Sequence, residues 1–260
     1  YPIEIDGTEQ DCHKIIREIF SNKQLVKKLS LTVANTANIG RLLPQSFFYT
    51  FAFSRLKGIT NGDIFYAVPA GNYGNLVSGL YGWRMALPVN GFIVPSTPEL
   101  TLDAGGNCMV MNSMIPLEKR TAADPASPSN IERLEQIFKA NSLMLRSFVY
   151  PAAVSEKEIE AACKKLFMQY KVYADHDTAA AYAAVLKRND VAAEEDGAVV
   201  LVARDSPALS KDFLMHNLGE SPAMPNNITE AFKPVKLDKA PIAPEDTDSV
   251  ISILNSLNLF

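Results

Sequence analysis

Residues 64–94 constrain the fold of this chain more than any other stretch. Ile64-Phe65-Tyr66-Ala67-Val68 is an apolar run of residues that favour strands. Pro69-Ala70-Gly71-Asn72-Tyr73-Gly74-Asn75 interrupts it with turn residues. Leu76 to Ala86 then predicts a helix that closes before Leu87-Pro88, and Val89 to Val94 predicts a second strand. Strand, glycine loop, helix and strand in that order form a βαβ unit, which implies parallel strands joined by a right-handed crossover. The expected fold class is therefore α/β: an open, mainly parallel sheet flanked by helices.

The flanking sequence supplies those helices. Ile15, Ile16, Ile19 and Phe20 recur at helical spacing from Asp11 onward. Leu31 to Asn38 is a short apolar run ending in cap-forming residues, and Asn38 is placed to cap a helix from Ile39 towards Leu56, where Pro44 permits a kink. Gly105-Gly106 reads as an irregular, mobile connection. Helices are expected from Asn130 to about Asn141, from Ser155 with a capping box to Glu158, and over the alanine-rich stretch from Asp177 to Leu186. Ala198 to Ala203 reads as a buried strand, and Ser206-Pro207 as the start of another helix. Ala240 to Asp248 is a proline-rich, acidic linker before a last helix at Ser249 to Leu257, a C-terminal helical extension. The domain expectation is residues 1–239 as one layered unit and 240–260 as linker and terminal helix.

Composition narrows the function classes. The 260 residues carry a formal net charge of −4, so no global field draws the chain to nucleic acid or to an anionic membrane. Any anion must be held by a local arrangement. No apolar run approaches the roughly 18–20 residues of a membrane span, and the start at Tyr1 has no signal-peptide character. Cys12, Cys108 and Cys163 follow no CxxC spacing, which points to a reduced, cytoplasmic chain. His13, His176 and His216 are scattered, so no metal site is expected. A first residue other than methionine fits a fragment, a processed product or a trimmed chain.

The chemistry concentrates at Gly71 to Asn75. Two glycines three apart let the backbone turn sharply and approach a ligand without an intervening Cβ. The helix that follows aims free N–H groups and its positive dipole end at the same place, a combination that holds phosphate. The loop is neither a P-loop, lacking GK[ST], nor a dinucleotide fingerprint, lacking the third glycine. A plain turn between a strand and a helix remains the competing reading.

Four segments carry a resemblance. Val68-Pro69-Ala70-Gly71-Asn72-Tyr73-Gly74-Asn75 resembles the VP[ST]GNFG phosphate loop of threonine synthases. Asn35 to Gln45 is similar to that family's NSxNxxRLLxQ, Asp124 to Arg133 to its DxxxPSNxER, and Asp175 to Tyr182 to its DPHTAxAY. They stand in the family's order over nearly the whole chain. The resemblance implies the large domain of a fold-type II pyridoxal 5'-phosphate enzyme that converts O-phosphohomoserine and water to threonine and phosphate. It also implies that the chain is the C-terminal part. The family's Schiff-base lysine, in an FKD segment, and its SGDTG loop would lie in the missing N-terminal half, which becomes a required partner. No residue here is then a catalytic candidate, and the chain alone is expected to be inactive.

Carried over residue by residue, Gly71, Asn72, Tyr73, Gly74 and Asn75 would cradle the cofactor phosphate. Arg41, with Asn35 and Asn38, would meet the substrate phosphate, because an arginine fork suits a dianionic leaving group. Arg41 equally fits a structural ion pair, and Asn35 and Asn38 equally fit helix capping. Asp124, Asn130 and Arg133 read as structural. Two departures stand out. Ala70 replaces the loop's Ser or Thr, and Arg204-Asp205-Ser206-Pro207-Ala208 aligns with TAHPAKF so that Arg204 replaces the threonine near the pyridine nitrogen. Asp205 or Ser206 could substitute if the backbone shifts by a residue. The alternatives are a degenerate relative that only binds a phosphorylated ligand, and an unrelated anion-binding α/β module.

Overall fold

The computed structural model describes residues 1–111, 119, 124–138, 142–191, 196–235, 237 and 239–257. In chain order the first elements are α1 (Glu9–Ser21), α2 (Lys23–Lys28), α3 (Ile39–Leu42), α4 (Ser46–Leu56), β1 (Ile64–Ala67), α5 (Gly74–Arg84), β2 (Gly91–Pro95), β3 (Leu100–Leu102) and β4 (Cys108–Val110). Then follow α6 (Ile131–Ile137), α7 (Ser142–Arg146), β5 (Val149–Ala152), α8 (Glu156–Tyr170), α9 (His176–Lys187), β6 (Ala198–Leu201), α10 (Lys211–Leu218), α11 (Asn226–Ala231) and α12 (Thr247–Ser256). The chain divides into two compact units. One comprises Tyr1–Arg41, Thr121–Ser129 and Glu230–Phe260; the other comprises Leu42–Arg120 and Asn130–Thr229.

The second unit holds the sheet, with strand order β5-β2-β1-β6 and every pair parallel. Phe65 lies opposite Gly91 on one side and Val199 on the other, which makes β1 a central strand. β1 and β2 are buried at every residue, as continuous apolar runs in a two-faced parallel sheet should be. The βαβ expectation is met. β6 is a correction: its residues are only half-buried, because among the described residues it pairs on one side only. β5 lies outside the sequence expectation, since Val149-Tyr150-Pro151-Ala152 carries a proline that argues against a strand. It sits at the sheet's other described edge, where one missing N–H is tolerated.

Gly105-Gly106 also differs from expectation. It turns an antiparallel hairpin between β3 and β4, with Leu100 opposite Val110. Asp103 Oδ1 accepts from the Gly105 and Asn107 amides at 2.8 and 2.9 Å, and Gly106 takes the left-handed φ of +78° that the turn needs. The stretch 39–56 is helical as expected, but a 3₁₀ turn at Leu43–Gln45 takes up Pro44 between α3 and α4. The expected helix from Asn130 ends its first part at Ile137, and residues 139–141 lie outside the described residues.

The core on the α5 face is aromatic. The Phe92 ring meets Tyr66 at 6.0 Å, Tyr49 at 6.1 Å and Phe148 at 5.8 Å between centroids. On the other face, α9 lays small alanines on the strands and packs against α8. Ser155 opens α8 as its capping pattern requires: its amide and hydroxyl both donate to Glu158 Oε2 at 2.7 Å. Those two bonds, Ser155's first, and then Lys187 hold the Glu158 carboxyl down to about 2. A depressed carboxylate contributes stability that is present above its ordinary value near 4.5 and lost as pH falls through about 2. In urea titrations across that window, Glu158→Gln should lose less stability on acidification than the unaltered chain. Equal acid sensitivity of the two would rule out the linkage.

In the first unit, Ile15 and Ile19 of α1 pack with Leu25 of α2 and Val250 of α12. Ile5 bridges Ile242 in parallel. No helix among the described residues is long and apolar enough to cross a membrane.

Candidate functional site

Sheet order fixes where a ligand can enter. From β1 the chain crosses to β2 and β5 on one side, then returns to place β6 on the other side of β1. In open α/β sheets this reversal opens a crevice beyond the C-terminal ends of the two strands. The segments that leave those ends are Val68 to Tyr73 after β1 and Val202 to Ser206 after β6. Both candidate regions of the sequence, the glycine loop and the departure at Arg204, therefore come to one place.

The loop is shaped by its backbone. Gly71 has φ +56° and Tyr73 has φ +58°, both left-handed. Tyr73 turns back through its amide to Ala70 O at 3.1 Å, and Asn72 Oδ1 accepts from the Gly74 amide at 3.1 Å. α5 then starts at Gly74. The Val77 amide donates to Tyr73 O at 3.0 Å and closes the first turn, and amides that precede such a turn face the region where a helix start can hold an anion. A Cβ placed on Gly71 would be in ordinary contact with the Arg204 guanidinium, 3.4 Å from Nη1, so the left-handed φ rather than lack of space calls for glycine here. These features fit a phosphate group.

Side chains around the loop lock it from behind. Tyr73 points into the core, only 2% exposed, and its hydroxyl bonds Thr97 Oγ1; burial pushes this phenol up to about 12. Only the backbone of Tyr73 is left for a ligand. Asn130 Nδ2 donates to Asn72 O at 2.9 Å, and the Tyr49 hydroxyl donates to Asn75 O at 2.7 Å. Asn130, itself left-handed at φ 61°, thus supports the loop from the start of α6. Its motif is visible in the sequence, whereas nothing in the sequence singles out Tyr49 or Thr97.

Across the crevice, Asp175 caps α9, taking the Thr178 amide at 3.0 Å and also the Thr178 hydroxyl. That hydroxyl accepts from the Arg204 amide at 3.2 Å. The Arg204 guanidinium pairs with Asp177 in the first turn of α9 and lies 3.5 Å from Asp205.

Asn35, Asn38 and Arg41 belong to the other unit. Asn35 Nδ2 donates to Pro125 O at 2.7 Å, and its Oδ1 accepts from the Ala37 amide at 2.9 Å. Asn38 Oδ1 accepts from the Gly40 amide at 2.9 Å at the start of α3, and its Nδ2 donates to Val33 O at 3.2 Å. Arg41 is exposed. In the same unit Arg17 holds Asp124 at 2.7 Å, and that bond is the main cause of a carboxyl below its usual range. No cluster of three metal-ligating side chains occurs among the described residues.

The chain resembles known proteins in sequence and in fold. No family model matches the chain. A threonine synthase of Buchnera aphidicola subsp. Schizaphis graminum is 30% identical over 227 residues, which is 87% of this chain and 52% of that protein. The crystal structure of threonine synthase from Escherichia coli superposes with a TM-score of 0.69 at 22% identity, over 98% of this chain and 58% of that one. A structure described as PLP-bound threonine synthase from Brucella melitensis gives 0.66 at 20% identity, over 97% and 58%. The chain spans about half the length of the curated relatives it matches.

Proposed function

We propose that this chain, a homologue of the threonine synthases that spans about half their length, is the part of such an enzyme that grips the phosphate of pyridoxal 5'-phosphate. The observation that carries the proposal is the glycine loop at the switch point, whose residues resemble the family's phosphate loop apart from Ala70 and Tyr73. The amides of Gly71 and Asn75, backed by the start of α5, would hold the phosphate. Asn72, Tyr73 and Gly74 would shape the turn. Asn35, Asn38 and Arg41 are assigned to the phosphate of O-phosphohomoserine, with Arg41 as the cation.

When bound, the cofactor supplies an electron sink for deprotonating and eliminating from an amino-acid substrate. This chain's part is to fix the cofactor's phosphate end and so its orientation. None of its lysines stands in a motif matching the family's cofactor-bonding lysine, so proton transfer at the substrate carbon falls to the complementary half. The complete protein would convert O-phosphohomoserine and water to threonine and phosphate.

Titration calorimetry with pyridoxal 5'-phosphate tests this reading, with inorganic phosphate as competitor. The 260-residue chain should bind the cofactor more tightly than phosphate and should release no phosphate from O-phosphohomoserine. Binding no tighter than inorganic phosphate would reduce the loop to a plain anion site. Turnover by the chain alone would overturn the division of labour. Ala70 and Arg204 favour a second reading, a relative that binds the phosphorylated ligand and has lost the chemistry.

A further inference from the structure

The glycine loop offers a phosphate dianion only neutral donors, yet a cation stands beside it. Arg204 Nη1 lies 3.4 Å, and its central carbon 3.8 Å, from where a Cβ on Gly71 would be. The guanidinium is about half-exposed and tied at one corner to Asp177, with Asp205 at 3.5 Å. Its backbone is fixed independently: the Arg204 amide donates to Thr178 Oγ1, which is held in turn by the buried Asp175. The side chain can therefore re-aim without moving the strand end that carries it. His176, also on Asp177 at 3.4 Å, and Glu156, 2.7 Å from His176, are the further titratable groups in contact with this network among the described residues.

We infer that Arg204 is the cationic arm of the phosphate site, held by Asp177 while the loop is empty and turned onto the phosphate when the loop is filled. The inference rests on the assignment of Gly71 to Asn75 as a phosphate loop and adds to it a charged contact and its competitor. The guanidinium has five donors, and the contacts to Asp177 and Asp205 still leave several of them for an anion. A phosphate oxygen on the Gly71 side of the loop would complete a charge-assisted fork that neutral amides cannot make. Asp177 then serves as a placeholder anion. It keeps the arm beside the loop, and it weakens binding by competing for it.

The test is calorimetry on the full chain with inorganic phosphate and with pyridoxal 5'-phosphate, comparing Arg204→Gln, Arg204→Lys and Asp177→Asn. Arg204→Gln should weaken both ligands roughly tenfold or more, the scale of one charge-assisted contact. Its affinity should also depend less on salt, because one cation no longer meets the ligand. Arg204→Lys should restore part of the loss, and Asp177→Asn should tighten binding several-fold by releasing the arm. Circular dichroism of each variant establishes that it is folded, and because Arg204 is half-exposed the glutamine variant should retain the fold. An unaltered chain that binds while Arg204→Gln binds equally well would overturn the inference and leave the loop assignment standing. Weaker binding by Asp177→Asn would overturn the exchange. Failure of the unaltered chain to bind either ligand would remove the loop assignment and the arm together.

Discussion

Gly71→Val should cost the chain its affinity for pyridoxal 5'-phosphate by about a hundredfold or more while leaving the sheet folded. The backbone at Gly71 has φ +56°, where a β-branched residue is a steric outlier costing roughly 1–2 kcal/mol. The new Cβ would stand in ordinary contact with Arg204 Nη1, at 3.4 Å, so the strain comes from the backbone. Relief of that strain moves the peptide units that aim the Gly71 and Asn75 amides. Each amide–phosphate bond is worth roughly 1.5–3 kcal/mol, so losing two gives a hundredfold or more. Calorimetry with the cofactor measures the loss, and far-UV circular dichroism shows whether the helices persist. A folded valine variant that binds as the unaltered chain does would move the phosphate site elsewhere.

The same loop shows which features are legible in residue order alone. The change from β-favouring residues at Ile64–Ala67 to Pro69, Gly71 and Gly74 is a local signal, and local signals survive folding. The helix start at Ser155 is legible for the same reason, since a cap is satisfied within one turn, whereas the caps at Thr8 and Asp175 lie a few residues before the starts expected at Asp11 and Asp177. What escapes is non-local. β5 contains Pro151 and gains its identity only by lying beside β2 at one edge of the sheet. β6 reads as a buried strand because its Ala-Val-Val-Leu run is as apolar as that of β1, and no composition records that one of its sides is unpaired among the described residues. The Gly105-Gly106 turn is a local exception: Asp103 reaches forward to two nearby amides, which flexible-looking composition conceals.

The site divides along the same line. Residue types indicate the loop, but its support comes from Tyr49, Thr97 and Asn130, which are 26, 24 and 58 positions from their partners. In the sequence Arg204 is only a departure from a motif. Beside Gly71, the substitution becomes a change in charge at the crevice, because β1 and β6 are neighbours only in three dimensions. The family resemblance points to the residues, and the sheet order explains how segments far apart in sequence come to one crevice.

Of the stability substitutions, Phe92→Ala should be the most damaging, at about 3–5 kcal/mol. Phe92, the second residue of β2, is fully buried between Tyr49 from α4, Tyr66 from β1 and Phe148 ahead of β5. Gly79 of α5 has no room for a Cβ, which would sit 2.5 Å from the Phe92 ring and 2.8 Å from that of Tyr49. The helix is therefore seated directly on these rings, and their removal leaves a cavity that it cannot easily follow into. The effect should reach the loop as well, because Tyr49 both touches Phe92 and holds Asn75 O. Cofactor affinity should accordingly fall in Phe92→Ala under conditions where the variant is still folded. Phe48→Ala, at a ring 74% exposed, serves as the control and should stay within about 0.5 kcal/mol. Urea unfolding of the three proteins gives the comparison. Similar midpoints for Phe92→Ala and the unaltered chain would mean that this aromatic cluster does not carry the helix that starts the site.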